Sequence, residues 1–156
     1  MRLSKRDLSR IRLSYTDSNE EHLENLGTTR VEITPSNSYV SDAVAELQKA
    51  KPNILLNIAV IRTDLNKDVF GEYSSDAPHT IYLNMNKLIN EVKSELTGAT
   101  AKEIEKQIEF QTAIVASHES GHQQAYTEQN KNTSEAPAEA KEEETRKVLE
   151  QSMGMV

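Results

Sequence analysis

The run His118-Glu119-Ser120-Gly121-His122 is the one stretch of the 156-residue chain in which spacing alone dictates a chemistry. Residues four apart on an α-helix stand one above the other on a single face. Two imidazoles so placed can share one Zn²⁺ while the glutamate after the first ligand sits beside the remaining coordination position. This is the arrangement of a hydrolytic site, in which the histidines bind as neutral imidazoles and the unligated carboxylate is left to take a proton from water. His118 and His122 are therefore candidate metal ligands, Glu119 the candidate catalytic base and Zn²⁺ the expected cofactor. The alternative is a buried helix whose histidines are satisfied by ordinary hydrogen bonds. A lone histidine favours that alternative; a pair at this spacing with Glu119 between them favours the metal.

Catalytic zinc keeps three protein ligands and a water, so a third ligand must come from elsewhere. The HExxHxxGxxH arrangement of metzincins is excluded, because Ala125 and Glu128 occupy its glycine and third histidine positions; His22 and His79 both lie upstream. The chain downstream of His122 is acidic: Glu135, Glu139, Glu142, Glu143 and Glu144 come after the loop Asn130-Lys131-Asn132-Thr133. Ser134 is the expected N-cap of a helix there, with Pro137 tolerated in its first turn. Ala138, Glu142, Thr145, Leu149 and Ser152 share one stripe of that helix with Val148 and Met153 beside it, whereas Glu139, Glu143, Arg146 and Glu150 form an opposite, charged face. Glu142 is thus the expected third ligand, two full turns into the helix. Glu135, on the same stripe but in the first turn, comes second and Glu139 third.

The elements that must position these groups are legible around them. Thr100-Ala101-Lys102-Glu103 reads as a capping box that starts a helix of several turns. Ile104, Ile108, Val115, His118, His122 and Ala125 succeed one another at three- and four-residue steps interrupted only by Gln111, with Phe110 and Ile114 on the flank. Gly121 costs about 1 kcal/mol relative to alanine in a helix interior, which implies a close approach that a side chain would block. Upstream, residues 54–61 form a nearly unbroken apolar, β-rich run, the pattern of a strand covered on both faces. Residues 71–73 and 80–84, separated by the turn Ser74-Ser75-Asp76-Ala77-Pro78, read as two further strands, the second alternating Ile81 and Leu83 against Thr80, Tyr82 and Asn84. Leu88, Ile89, Val92 and Leu96 space as a short helix, and Val40, Val44 and Leu47 as a helix from near Ser41 to before Pro52. Residues 30–33 suit a strand.

HExxH on one helix with a glutamate on the next resembles the gluzincins, the thermolysin-like zinc metallopeptidases. The small size is most similar to minigluzincins and to the antirepressor-type metallopeptidases of phages and mobile elements. In those the glutamate helix often reads E-x-x-A-N-x-F-A-x-x-L-M, which residues 142–153 match loosely, with Thr145 for alanine, Arg146 for asparagine and Val148 for the aromatic. The resemblance spans residues 54–153. It implies an α+β, zincin-like fold in which a small mixed sheet carries an active-site helix and a following glutamate helix. It also implies that the strand at 80–84 forms the sheet edge beside the metal, where an extended peptide substrate would pair with it. An oxyanion donor would come from a tyrosine, histidine or arginine; Tyr126, His79 and Arg146 are the candidates.

Composition agrees with one zincin-like metallopeptidase domain over residues 1–156, with 1–14 as a flexible basic N-terminal arm carrying Arg2, Lys5, Arg6, Arg10 and Arg12. A chain of this length buries about 68–70% of its unfolded surface and needs no disulfides. It has no cysteine, which excludes thiolate zinc ligands and a cysteine nucleophile. The formal charge of -7 and an aromatic content of only 4% give no clear case for a nucleic-acid partner. The first residues lack the apolar core of a secretory signal, and no membrane-spanning stretch occurs, so a cytoplasmic protein acting on a polypeptide substrate is expected. Two other classes accommodate the same motif: a zinc-stabilised structural or virion component without activity, and a regulator that binds its partner through the edge strand and basic arm.

Overall fold

The computed structural model describes residues 30–155; the N-terminal arm and His22 lie outside them. In chain order the elements are β1 (Glu32–Thr34), α1 (Ser38–Ala50), β2 (Val60–Arg62), β3 (Gly71–Tyr73), β4 (Thr80–Leu83), α2 (Met85–Glu95), α3 (Ala101–Glu128) and α4 (Ala136–Ser152). This is a small α+β fold of four helices on a four-stranded mixed sheet. No helix among the described residues is long and apolar enough to cross a membrane.

Helices α1, α2 and α3 start where short polar side chains take orphan amides. Asn37 accepts from Val40 N at the head of α1, three residues earlier than Val40, Val44 and Leu47 alone would place it, and Asn84 accepts from Lys87 N at the head of α2. The capping box forms as expected: Thr100 Oγ1 accepts from Glu103 N at 3.1 Å, and Glu103 Oε1 accepts from Thr100 N at 2.9 Å. From there α3 runs 28 residues, about 42 Å at 1.5 Å per residue. It touches the other three helices and strands β3 and β4, and is accordingly buried nearly all round between Thr112 and Gly121.

The sheet order is β1-β2-β4-β3, with β1, β2 and β4 parallel and β3 antiparallel to β4. Ile33, Ile61 and Ile81 stand in register across the three parallel strands and join the helical core through Val40, Leu47, Leu88, Val92 and Ile108. Two expectations are corrected. The run 54–61 is not a strand covered on both faces: residues 51–57 turn on themselves, with Ile54 N bonded to Lys51 O and Ile58 N to Leu55 O, and the strand begins only at Val60. Ile54, Leu55 and Ile58 are buried while Leu56 is 59% exposed, so the burial tracks turns rather than a pleat. The second correction concerns the sheet edge next to α3, which is β3; β4 is an interior strand, because β2 takes its other side.

Helix α4 packs along α3 and comes close at Gly121, where an added Cβ would stand 2.8 Å from the Cα of Ala138. The obstacle is backbone and cannot rotate away. Gly121→Ala is therefore expected to lower stability by about 1–2 kcal/mol, overpacking of about 1–3 offset by a propensity gain of about 1, read from urea unfolding. A stabilised variant would mean the two helices part easily. The capping box yields a second prediction. The Thr100 amide and hydroxyl hold the Glu103 carboxyl below its ordinary range, so its contribution is present above the unfolded glutamate value and is lost as pH falls through the lower, folded one. The stability gap between wild type and Glu103→Ala should accordingly be widest at neutral pH and narrow on acidification; a gap that grows in acid contradicts the box.

Candidate metal centre

His118 and His122 lie on α3 one turn apart, their ring centroids separated by 4.9 Å with the planes at 73°. The carboxylate that meets both is Glu135. Its Oε1 is 3.1 Å from His118 Nε2, and its Oε2 is 3.1 Å from His122 Nε2. Among the described residues these three form the one His/Asp/Glu group whose ligand atoms all lie within 4.8 Å of one another. Glu142 reaches only His118, and from the other side of the ring: its Oε1 is 2.8 Å from His118 Nδ1. Glu139 is exposed.

The difference arises at the head of α4. Glu135, not Ser134, is the N-cap residue, and it makes no side-chain cap; Ser134 N instead donates to Asn132 Oδ1 in the preceding loop. The Glu135 side chain is thereby free to turn toward α3. Asn130 and Lys131 adopt positive φ values of 56° and 64°, the left-handed conformation that reverses the chain between the helices. The expected stripe holds through Ala138, Thr145 and Leu149, which are fully buried, and Glu142, which is half-buried on the same face; it fails at Ser152, which is exposed at the end of the helix.

The donor set suits zinc: two imidazole nitrogens and a carboxylate oxygen. Glu135 presents Oε1 to His118 and Oε2 to His122, each at 3.1 Å, and one ligand atom from each of the three residues lies within 4.8 Å of the other two. Burial, aided by His118 and opposed by Glu135, pushes the His122 imidazolium down, toward the neutral form a metal takes.

Glu119 points away from α4 and toward β3, 6% exposed. Burial raises its carboxyl to about 7; His118 opposes the shift, and the nearby Glu135, Glu72 and Glu142 add to it. The edge strand comes close because Gly71 has no side chain. A Cβ at that position would stand 2.6 Å from Val115 Cγ1 and 3.1 Å from both Cγ and Oε2 of Glu119. Between β3, α3 and the α3–α4 loop lies a cleft of about 420 Å³, lined by Gly71, Tyr73, Tyr126, Asn132 and Thr133 together with His118, Glu119, His122 and Glu135.

Of the three oxyanion candidates only Tyr126 lines this cleft, its ring 6.5 Å from that of Tyr73. His79 is held by its Nδ1 on Asn57 O at 2.9 Å. Arg146 pairs with Glu142 behind His118 and lies over Phe110, so it is not on the opposite, charged face expected of it: residues four apart share one side of the helix. Gly71 and Tyr73 carry no metal-site signal in the sequence, although an isolated glycine opening a strand is the usual mark of a close backbone approach. No protein-family model, curated protein or solved structure matches the chain.

Gly71→Ala should cost about 1–3 kcal/mol in urea unfolding through overpacking, and less in a Val115→Ala background, where the nearest obstructing methyl is gone. Equal costs in the two backgrounds would show that β3 does not rest on Val115.

Proposed function

We propose that the protein is a zinc-dependent metallopeptidase of the gluzincin type on a zincin-like fold, with His118, His122 and Glu135 holding the metal and Glu119 as general base. Glu135 takes the place expected of Glu142. The observation that carries this reading is the convergence of one carboxylate on both imidazole Nε2 atoms, with a buried, unligated glutamate beside them and a cleft open to all four.

When bound, Zn²⁺ supplies a Lewis acid that polarises the scissile carbonyl and lowers the pKa of water to about 7. The chain's own residues perform the remaining work. Glu119 takes a proton from the attacking water as its oxygen bonds to the carbonyl carbon, then passes that proton to the amine as the C–N bond breaks. The Tyr126 hydroxyl is the donor assigned to the tetrahedral oxyanion, as the phenol on the same helix and in the same cleft. Strand β3, at the sheet edge and lining the cleft, offers its free main-chain groups to an extended peptide by β-augmentation.

Purified protein should carry about one Zn²⁺ per chain, and chelation should lower its melting temperature, because a ligand taken only by the folded state stabilises it by mass action. Glu119→Gln should keep zinc and fold while hydrolysis of unfolded polypeptide falls by roughly 10²- to 10⁴-fold. Undiminished cleavage by that variant rules out Glu119 as base. Zinc retained by a wild type that cleaves nothing moves the protein to the class of zinc-stabilised structural or regulatory components; a chain that takes up no zinc ends the metal reading.

A further inference from the structure

Glu142 and Arg146 are left over once the ligands and the base are assigned, yet they are packed as a unit. Glu142 Oε1 lies 2.8 Å from His118 Nδ1, and its Oε2 lies 3.5 Å from Arg146 Nη2 one turn further along α4. The Arg146 guanidinium in turn sits over the ring of Phe110, 5.8 Å from its centroid, and Phe110 is buried in the core. Both charged side chains are about one-third exposed, so the pair is shielded without being sealed.

The seam around the unit is fixed. Ser117, next to His118, donates from Oγ to Thr145 Oγ1 at 2.9 Å, and Thr145 precedes Arg146. One turn on, Gly121 rests on Ala138. The register of α4 on α3 therefore cannot slide, and Glu142 cannot leave Nδ1 by moving its helix.

We propose that Arg146 is a positioning residue: it clamps Glu142 onto His118 Nδ1, so that one helix supplies both the carboxylate on the metal-facing nitrogen, Glu135, and the carboxylate that orients the ring from behind. The inference rests on the zinc-ligand assignment above for its affinity arm only. A hydrogen bond from Nδ1–H to Glu142 places the ring's proton away from Nε2, leaving that lone pair to a metal, and fixes the ring plane. Arginine suits the clamp because its guanidinium can stack on Phe110 while its N–H groups face the carboxylate.

Two measurements on the full chain decide it. Chelator competition with Zn²⁺ should show Glu142→Ala binding about 10- to 100-fold more weakly than wild type, the usual cost of losing the group behind a metal-bound histidine. Arg146→Met should lose about 3- to 10-fold in the wild-type background and nothing further in Glu142→Ala, as for neighbours acting through one contact; Arg146→Lys should recover part of the loss. The same loss from Arg146→Met in both backgrounds would reduce Arg146 to packing on Phe110 and overturn the proposal. Zinc stripped by Glu142→Ala but retained by Glu135→Ala would overturn it too, by making Glu142 the ligand. Nitrogen NMR of the His118 ring supplies the arm that needs no metal. In metal-free Glu135→Ala at about pH 8 the proton should reside on Nδ1 and shift toward Nε2 when Glu142→Ala or Arg146→Met is added. An unchanged tautomer refutes the clamp even if zinc binds as proposed, and the predicted shift upholds it even if zinc does not bind.

Discussion

The approach of α4 to α3 at Gly121 is the constraint on which the candidate site depends. At that point the backbone of Ala138 occupies the space a side chain would fill. Neither helix can rotate without opening a gap or a clash, because the same seam is pinned by Ser117 on Thr145 and by Ala138 and Leu149 in the core. With α4 held so, the exposed Glu135 at its N-cap and the half-buried Glu142 seven residues on straddle one imidazole. Glu135 reaches the Nε2 atoms of both histidines and Glu142 the Nδ1 of the first.

On the opposite side of α3 the edge strand performs a comparable service for Glu119. Lying against Gly71 removes water from the carboxyl and raises it toward neutrality, a cost to folding in the ionised form. The His118 imidazole partly relieves that cost. The glutamates of the seam, by contrast, each end on a hydrogen-bonding or charged partner.

The centre of the site was legible because it is local. His118, Glu119, His122, the capping box and the need for glycine at 121 are all statements about one helix, and a 3.6-residue period carries them. The third carboxylate was not, for a geometric reason. The stripe on α4 correctly turns Glu142 inward, but periodicity cannot say which nitrogen of which ring a side chain will meet. Glu135 sits at the N-cap, where side-chain direction no longer obeys the helix. The run 54–61 misled for another reason: apolar residues report burial, and Ile54, Leu55 and Ile58 achieve it in turns that begin at Lys51. Strand order is a long-range property. Nothing in residues 71–84 tells which member of the hairpin β2 will join.

The two inner letters of the motif, Ser120 and Gly121, are usually read as spacers. Here Ser120 donates from Oγ to the carbonyl of Ile54 at 2.5 Å, tying α3 to the turn before the sheet, while Gly121 admits α4. The motif helix is therefore packed against neighbours at its spacers as well as at its histidines. Genuine relatives of this chain should be recognisable by a narrower signature than HExxH: a small residue at both inner positions, with the second covarying in bulk against the counterpart of Ala138.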